Sequence, residues 1–229
     1  MEFKLLPGGT IRGEVRVPGD KSISHRSIML GALAEGVTRV SGFLEGEDAL
    51  ATVAAFRAMG VAIEGPDNGQ VTIHGVGLRG LQAPAAVLDM GNSGTSIRLL
   101  SGLLAGQAFD SVLTGDASLR GRPMGRVIDP LLLMGASVRG EEGGRPPLRI
   151  TGGHTLQGIH YDLPMASAQV KSCVLLAGLY SQGRTSVTEP APTRDHTERM
   201  LRGFGYDVTS DNGVIALQGG GTLHATEID

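Results

Sequence analysis

The chain has 229 residues with 20 Lys+Arg against 23 Asp+Glu, a formal net charge of −3, which excludes the strongly basic profile of a nucleic-acid binder. Its 41% hydrophobic and 19% charged residues exclude a disordered chain, and the single cysteine, Cys173, excludes a disulfide framework and fits a reducing compartment. Neither the first residues, Met1–Gly9, nor any later apolar run has the length of a signal peptide core or a membrane span, so a soluble cytoplasmic protein is expected.

In chain order, apolar patterning predicts a helix over 24–35, a strand over 37–41, and a helix over 47–59 that stops at Gly60, then strands over 61–64 and 71–75. The same order returns as helix 93–105, strand 111–114, helix 122–134 stopping at Gly135, and strands 137–139 and 148–151. It returns again as helix 167–180, strand 185–189, helix 194–204 stopping at Gly205, and strands 206–209 and 214–217. Gly60, Gly135 and Gly205 each stand where a left-handed helix cap is expected. The 36 glycines, with no tryptophan and 3% aromatics, point to an aliphatic interior with close backbone approach and many turns.

Faces follow from the same pattern. Val71-Thr72-Ile73-His74, Leu148-Arg149-Ile150-Thr151 and Thr185-Ser186-Val187-Thr188 alternate and predict strands wet on one side. The first helix of the second and third repeats has no polar face, which places it in the interior. The prediction is an α/β (α+β) fold with helices inside and one-sided sheets outside, arranged about a pseudo-threefold axis.

The first helix of each repeat opens on small polar residues: Gly19-Asp20-Lys21-Ser22, Gly91-Asn92-Ser93-Gly94-Thr95 and Ala166-Ser167-Ala168-Gln169. One such start is ordinary N-capping; three alike, with cations nearby, point to one convergent anion pocket, because helix N-termini present unpaired N–H groups and a positive dipole end. Lys21 and Arg26 stand about one turn apart, so both reach one phosphate. Arg120 and Arg122 open the second helix of the second repeat and Arg194 that of the third, where the dipole disfavours a cation unless an anion is gripped there.

Five segments carry a family resemblance: Pro18-Gly19-Asp20-Lys21-Ser22-Ile23-Ser24-His25-Arg26, Gly91-Asn92-Ser93-Gly94-Thr95-Ser96-Ile97-Arg98, Gly115 to Met124, Ala166-Ser167-Ala168-Gln169-Val170-Lys171-Ser172, and Thr193-Arg194-Asp195-His196-Thr197-Glu198. Together, in order along the whole chain, they resemble the 5-enolpyruvylshikimate-3-phosphate synthases. The resemblance implies two domains, each of three β-α-β-α-β-β units with inward helices. This chain resembles the N-terminal half: units of about 13–77, 78–153 and 154–221 form the first domain, residues 13–229, and residues 1–12 resemble the segment that pairs with the second domain.

The resemblance further implies transfer of the enolpyruvyl group of phosphoenolpyruvate to the 5-hydroxyl of shikimate 3-phosphate, with release of phosphate. Lys21, Ser22, Arg26, Ser167, Ala168, Gln169 and Arg194 would hold shikimate 3-phosphate. Lys21, Gly94, Arg122 and Gln169 would meet phosphoenolpyruvate, and Lys21 is the catalytic candidate of this half. No cofactor and no metal is implied where Lys and Arg neutralise the charge, and neither nucleic acid nor a membrane is expected as a partner. The family's acid–base carboxylates belong to the second domain, so this chain is expected to be inactive alone. Leu99 follows Arg98 where one subclass of the family has proline.

Other signals weigh less. Gly75-Val76-Gly77-Leu78-Arg79-Gly80 is a literal dinucleotide-binding match, but no long helix follows and a turn is expected. The six histidines show no metal-ligand spacing, and His25 and His196 are expected to be structural neighbours of the cations. Cys173 is expected to be inert core, while Arg98 and Lys171 either brace the pocket or neutralise acids nearby. The enzyme rival, UDP-N-acetylglucosamine enolpyruvyl transferase, carries a reactive cysteine in the loop matching 116–122, which has none here. A non-catalytic module for phosphorylated small molecules keeps the same pocket residues and is separated only by whether a second half restores turnover.

Overall fold

The computed structural model describes residues 3–229 apart from Leu5 and Ile11. Within the 1–12 segment, Met1, Glu2, Leu5 and Ile11 therefore lie outside the described residues. The first repeat runs α1 (Lys21–Leu33), β1 (Glu35–Val40), α2 (Glu47–Ala58), β2 (Ala62–Asp67) and β3 (Gln70–Val76). The second runs β4 (Leu88–Asp89), α3 (Gly94–Ala105), β5 (Ser111–Thr114), a single-turn α4 (Ala117–Arg120), α5 (Gly125–Leu133), β6 (Ser137–Glu141) and β7 (Arg145–Thr151). The third runs β8 (His160–Asp162), α6 (Ala168–Gly178), β9 (Arg184–Thr188), α7 (His196–Gly203), β10 (Val208–Asp211) and β11 (Val214–Gln218), with β12 (Glu227–Ile228) after it.

The strands form three four-stranded sheets of like order, β12-β1-β3-β2, β4-β5-β7-β6 and β8-β9-β11-β10. In each, a short edge strand runs parallel to its neighbour and the other pairings are antiparallel. In the second and third sheets that edge strand enters the inner helix directly, as a parallel crossover requires. In the first sheet the position is filled from the far end of the chain: Arg39 stands opposite Glu227 and Val40 opposite Ile228. The sequence pattern missed β4, β8 and β12, because two or three residues carry no readable alternation.

The three inner helices are buried along almost their whole length. α3 and α6 meet backbone to backbone: a Cβ on Gly102 would lie 2.1 Å from the carbonyl oxygen of Cys173, so only glycine fits that crossing. Gly60, Gly135 and Gly205 end α2, α5 and α7 with φ of 87°, 88° and 78°, the left-handed caps expected of them.

Some expectations shift. α1 starts at Lys21 rather than at 24, because the Asp20 carboxylate accepts from the N–H of Ile23 at 2.8 Å and caps the helix earlier. β9 is not wet on one side: Thr185 and Ser186 are both buried, Ser186 under His160 of the neighbouring β8 at 2.8 Å. Gly75 and Val76 finish β3, and a turn follows at Gly77, as read for the glycine-rich 75–80 run. Among the described residues, no helix is long and apolar enough to cross a membrane.

Candidate functional site

The N-termini of α1, α3 and α6 are built alike. Asp20, Ser93 and Ser167 each accept from the N–H three residues on, at 2.8, 3.1 and 3.3 Å. Side-chain hydrogen bonds then join the three ends pairwise. Between the first and third repeats, Arg194 Nη1 donates to Ser22 Oγ at 3.2 Å and Arg26 Nε to Thr197 Oγ1 at 2.6 Å. Between the first and second, the hydroxyls of Thr52 and Ser96 are hydrogen-bonded at 2.7 Å. Between the second and third, Gln169 donates to Thr95 Oγ1 at 3.0 Å and accepts from Arg98 Nη1 at 3.1 Å. A ring of polar contacts therefore closes over the start of all three inner helices.

The residues singled out by sequence fall on this ring, in different states. Lys21 opens α1, about half exposed, with Nζ ion-paired to Asp48 in the first turn of α2. Ser22 is half-buried beneath Arg194, which is exposed. Arg26 is only 4% exposed; besides Thr197 it donates to Ser22 O at 2.9 Å and Ser172 Oγ at 2.7 Å. Burial brings the Arg26 guanidinium down to about 10, with Glu198 pulling the other way. Ser167, Ala168 and Gln169 are half-buried at the start of α6. Gly94 opens α3, and a Cβ there would lie 2.7 Å from Arg98 Nη1 and 3.1 Å from Arg122 Nη1, so two guanidinium groups converge over it and any side chain would displace the nearer one.

Arg122 and Arg194 do not stand inside the helices they were expected to open. Arg120 ends α4, Arg122 lies in the loop before α5, and Arg194 precedes α7 by two residues. That removes the unfavourable dipole term that a first-turn cation would meet. Arg122 is fixed instead by Asn92, whose Oδ1 accepts from Nη2 at 2.5 Å, and by Ser118 Oγ at 3.1 Å. Asn92 in turn donates to Asp116 at 2.7 Å; that bond, with the N–H of Leu119, holds the exposed Asp116 carboxyl below its ordinary range.

Beside this ring lies a cavity of about 540 Å³ lined by Arg98, Arg122, Arg126, Ser167 and Gln169, with Asp129 the one carboxylate on its wall among the described residues. Burial first, then the nearby charges of Arg122 and Arg126, lower the affinity of Arg98 for its proton. Three cations facing one carboxylate leave a positive space that suits a small anion.

Sequence reasoning missed Arg126 and Asp48, which carry no motif. It also left Lys171 open, and the structure decides it. Lys171 is 1% exposed, its Nζ at 3.0 Å from Glu189 and 2.5 Å from Glu198, so it neutralises acids rather than facing the pocket. His25 is fully buried with Nδ1 at 2.8 Å from Thr52 Oγ1, and burial, then Lys21, push its imidazole down to about 4. It is a structural neighbour of the cations, as expected. Cys173 is buried with its thiol pushed up to about 12 by desolvation, an inert core residue.

Comparison with known proteins adds a second line of argument. Residues 5–229 match the sequence family described as EPSP synthase (3-phosphoshikimate 1-carboxyvinyltransferase). A 3-phosphoshikimate 1-carboxyvinyltransferase of Methylococcus capsulatus is 70% identical over 227 residues, 99% of this chain and 52% of the relative. One from Alkalilimnicola ehrlichii is 67% identical over 229 residues, 100% of this chain and 51% of the relative. The structure of EPSP synthase from Acinetobacter baumannii superposes with a TM-score of 0.92 at 68% identity, covering 94% of this chain and 48% of that one. The chain thus spans about half the length of the curated relatives it matches.

Proposed function

The chain belongs to the EPSP synthase family, and on that premise we propose that it forms the anion-gripping half of a site for enolpyruvyl transfer. The reaction moves the enolpyruvyl group of phosphoenolpyruvate to the 5-hydroxyl of shikimate 3-phosphate: a carbon–oxygen bond forms at that hydroxyl, the bond to phosphate breaks, and phosphate leaves. The observation that supports this reading is the polar ring itself, which gathers Lys21, Ser22, Gly94, Arg122, Gln169 and Arg194 around the starts of α1, α3 and α6.

On this reading Lys21, Ser22, Arg26, Ser167, Ala168, Gln169 and Arg194 hold shikimate 3-phosphate. Lys21, Gly94, Arg122 and Gln169 hold phosphoenolpyruvate in and beside the arginine-lined cavity, with Gln169 between the two ligands. Lys21 is the catalytic group of this half: its ammonium exchanges the Asp48 carboxylate for ligand oxygens and stabilises charge as phosphate departs. The cations already present offset the ligands' negative charge, so the reading calls for no cofactor and no metal. Proton transfer to the vinyl carbon and from the 5-hydroxyl needs positioned acid and base groups, which we assign to a second domain. Residues 13–77, 78–153 and 154–221 are then the three units of the first domain, and residues 1–12 belong with the second.

Titrating the folded chain with shikimate 3-phosphate, by calorimetry or amide chemical shifts, tests this. The expected result is saturable but weak binding, since half of the enclosing surface is open to competing water. A folded chain that gives no response at millimolar ligand overturns the reading. The same chain given both substrates should release no phosphate until a separately folded second half of a relative is added.

A further inference from the structure

The buried ionic cluster behind the site is not accounted for by ligand binding. Lys171, on the first turn of α6, contacts Glu189 at the end of β9 and Glu198 on the first turn of α7. All three side chains are at most 8% exposed. Burying such charges is costly, and packed apolar residues of similar size stabilise a fold as well or better. In this chain the ionic cluster also ties α6, the end of β9 and α7 together through side-chain contacts.

Those contacts lead to the site along two arms. Glu189 accepts the hydroxyl proton of Thr193, and its own N–H donates to Gly213 O at 2.9 Å, so both ends of the 189–193 turn are pinned. Arg194 is the next residue, reaching Ser22 Oγ at 3.2 Å. On the other arm Glu198 follows Thr197, whose hydroxyl takes Arg26 Nε at 2.6 Å and lies 2.6 Å from Ser172 Oγ. The formal charges of Lys171, Arg26, Glu189 and Glu198 sum to zero. This balance lets the cluster stay buried.

We infer that Lys171 and Glu189 are positioning residues for Arg194: through Thr193 they hold the 189–195 turn so that the exposed guanidinium meets an anion over Ser22 without ordering cost on binding. The inference rests on the proposed reading for the identity of that anion, but not for the positioning itself. Two variants avoid emptying the core. Glu189→Gln keeps the shape and one acceptor oxygen, but removes the charge and the second acceptor, so Lys171 and Thr193 can no longer both be served, and Thr193→Val removes only the hydroxyl link.

Two measurements on the 229-residue chain decide it. In backbone ¹⁵N relaxation, both variants should drop the order parameters of residues 193–195 from the rigid range near about 0.85 to below about 0.6 while those of α6 stay rigid, the signature of a loosened turn. In shikimate 3-phosphate titrations, each should weaken binding about tenfold in the parent, and far less when Arg194→Ala is already present, because coupled residues are non-additive. Unchanged order parameters in the turn overturn the inference. So do equal losses with and without Arg194, which is what a merely structural role gives. If the parent chain binds no shikimate 3-phosphate, the functional reading fails while the relaxation measurement still decides the positioning.

Discussion

The cations around α1, α6 and α7 differ from those around α3 and α5 in what holds them. Arg26 and Lys171 are buried; two hydroxyls and a carbonyl take three of the five N–H groups of Arg26, and two carboxylates pair with Lys171. Arg98, Arg122 and Arg126 line an open cavity with Asp129 as its single carboxylate among the described residues, and burial first, then the proximity of the other two, lower Arg98's hold on its proton. The first region is assembled by the protein itself and keeps its geometry without a ligand. The second holds like charges close together, and on the proposed reading phosphoenolpyruvate completes its charge balance. One side pairs its cations within the protein; the other holds Arg98 and Arg122 by neutral partners and leaves three cations facing one carboxylate, an excess that suits an anion.

The largest expected effect sets these regions apart. Lys171→Ala leaves Glu189 and Glu198 buried without their cation and should cost about 3–5 kcal/mol of folding stability. Arg126→Ala, at an exposed position on the cavity wall, should stay within about 0.5 kcal/mol. Urea unfolding of both variants checks this. Similar losses from the two would dissolve the contrast.

Next comes pH, acting through His25 at the seam between the first two repeats. Its ordinary value is 6.5 and its folded value about 4, so between those values the unfolded chain binds more protons than the folded one. Stability from this group is complete above 6.5, falls as pH drops through that window, and is gone below about 4. The full swing is about 3 kcal/mol. Subtracting the curve of His25→Gln from that of the parent isolates it from carboxylates such as Asp195, which its bond to Arg199 holds low. A difference curve flat between pH 4 and 6.5 would refute the assignment.

The contrast also explains which features were legible beforehand. The repeat, the capping glycines and the inner helices were readable because period and composition report burial directly. Gly94 and Arg122 were readable through their motifs. The family likeness foreseen from those motifs agrees with the match over residues 5–229. The β4, β8 and β12 edges were not readable, nor was the filling of the first sheet from residues 227–228, since strands of two or three residues have no pattern and their pairing is long-range. Lys171 sits in a run, Val170 to Leu176, whose apolar neighbours signal burial but not partners. Glu189 and Glu198 are 18 and 27 positions away in number and adjacent only once α6, β9 and α7 have packed. Arg194 was placed inside a helix that starts two residues later, because dipole and cap rules set helix starts only to within a turn.

A third test divides the ligands between the regions. On the proposed reading, Arg122→Ala should weaken phosphoenolpyruvate binding in a reconstituted enzyme and spare shikimate 3-phosphate, and Arg194→Ala should do the reverse. Each removes a charge-assisted contact of about 1.5–3 kcal/mol. Equal effects of both on one ligand would show that the two regions serve a single anion.

The smallest expected effect concerns the joint between the regions, the Lys21–Asp48 pair. Asp48 has two roles that oppose each other in different measurements. As an acid in the first turn of α2 it complements the helix dipole, so Asp48→Asn should lower stability by about 0.3–1 kcal/mol. As the partner of Lys21 it also, on the proposed reading, occupies the ammonium meant for the ligand's phosphate and places a negative charge beside it. Removing that charge should tighten shikimate 3-phosphate binding modestly. The pair is solvated on the lysine side, which is about half exposed, so the gain should shrink as salt rises. Calorimetry at low and high ionic strength reads both signs at once. Weaker binding by Asp48→Asn at every salt concentration would reverse the reasoning: Asp48 would then be aiming Lys21 at the ligand, and α1 would owe its pre-organisation to α2 as much as to α6 and α7.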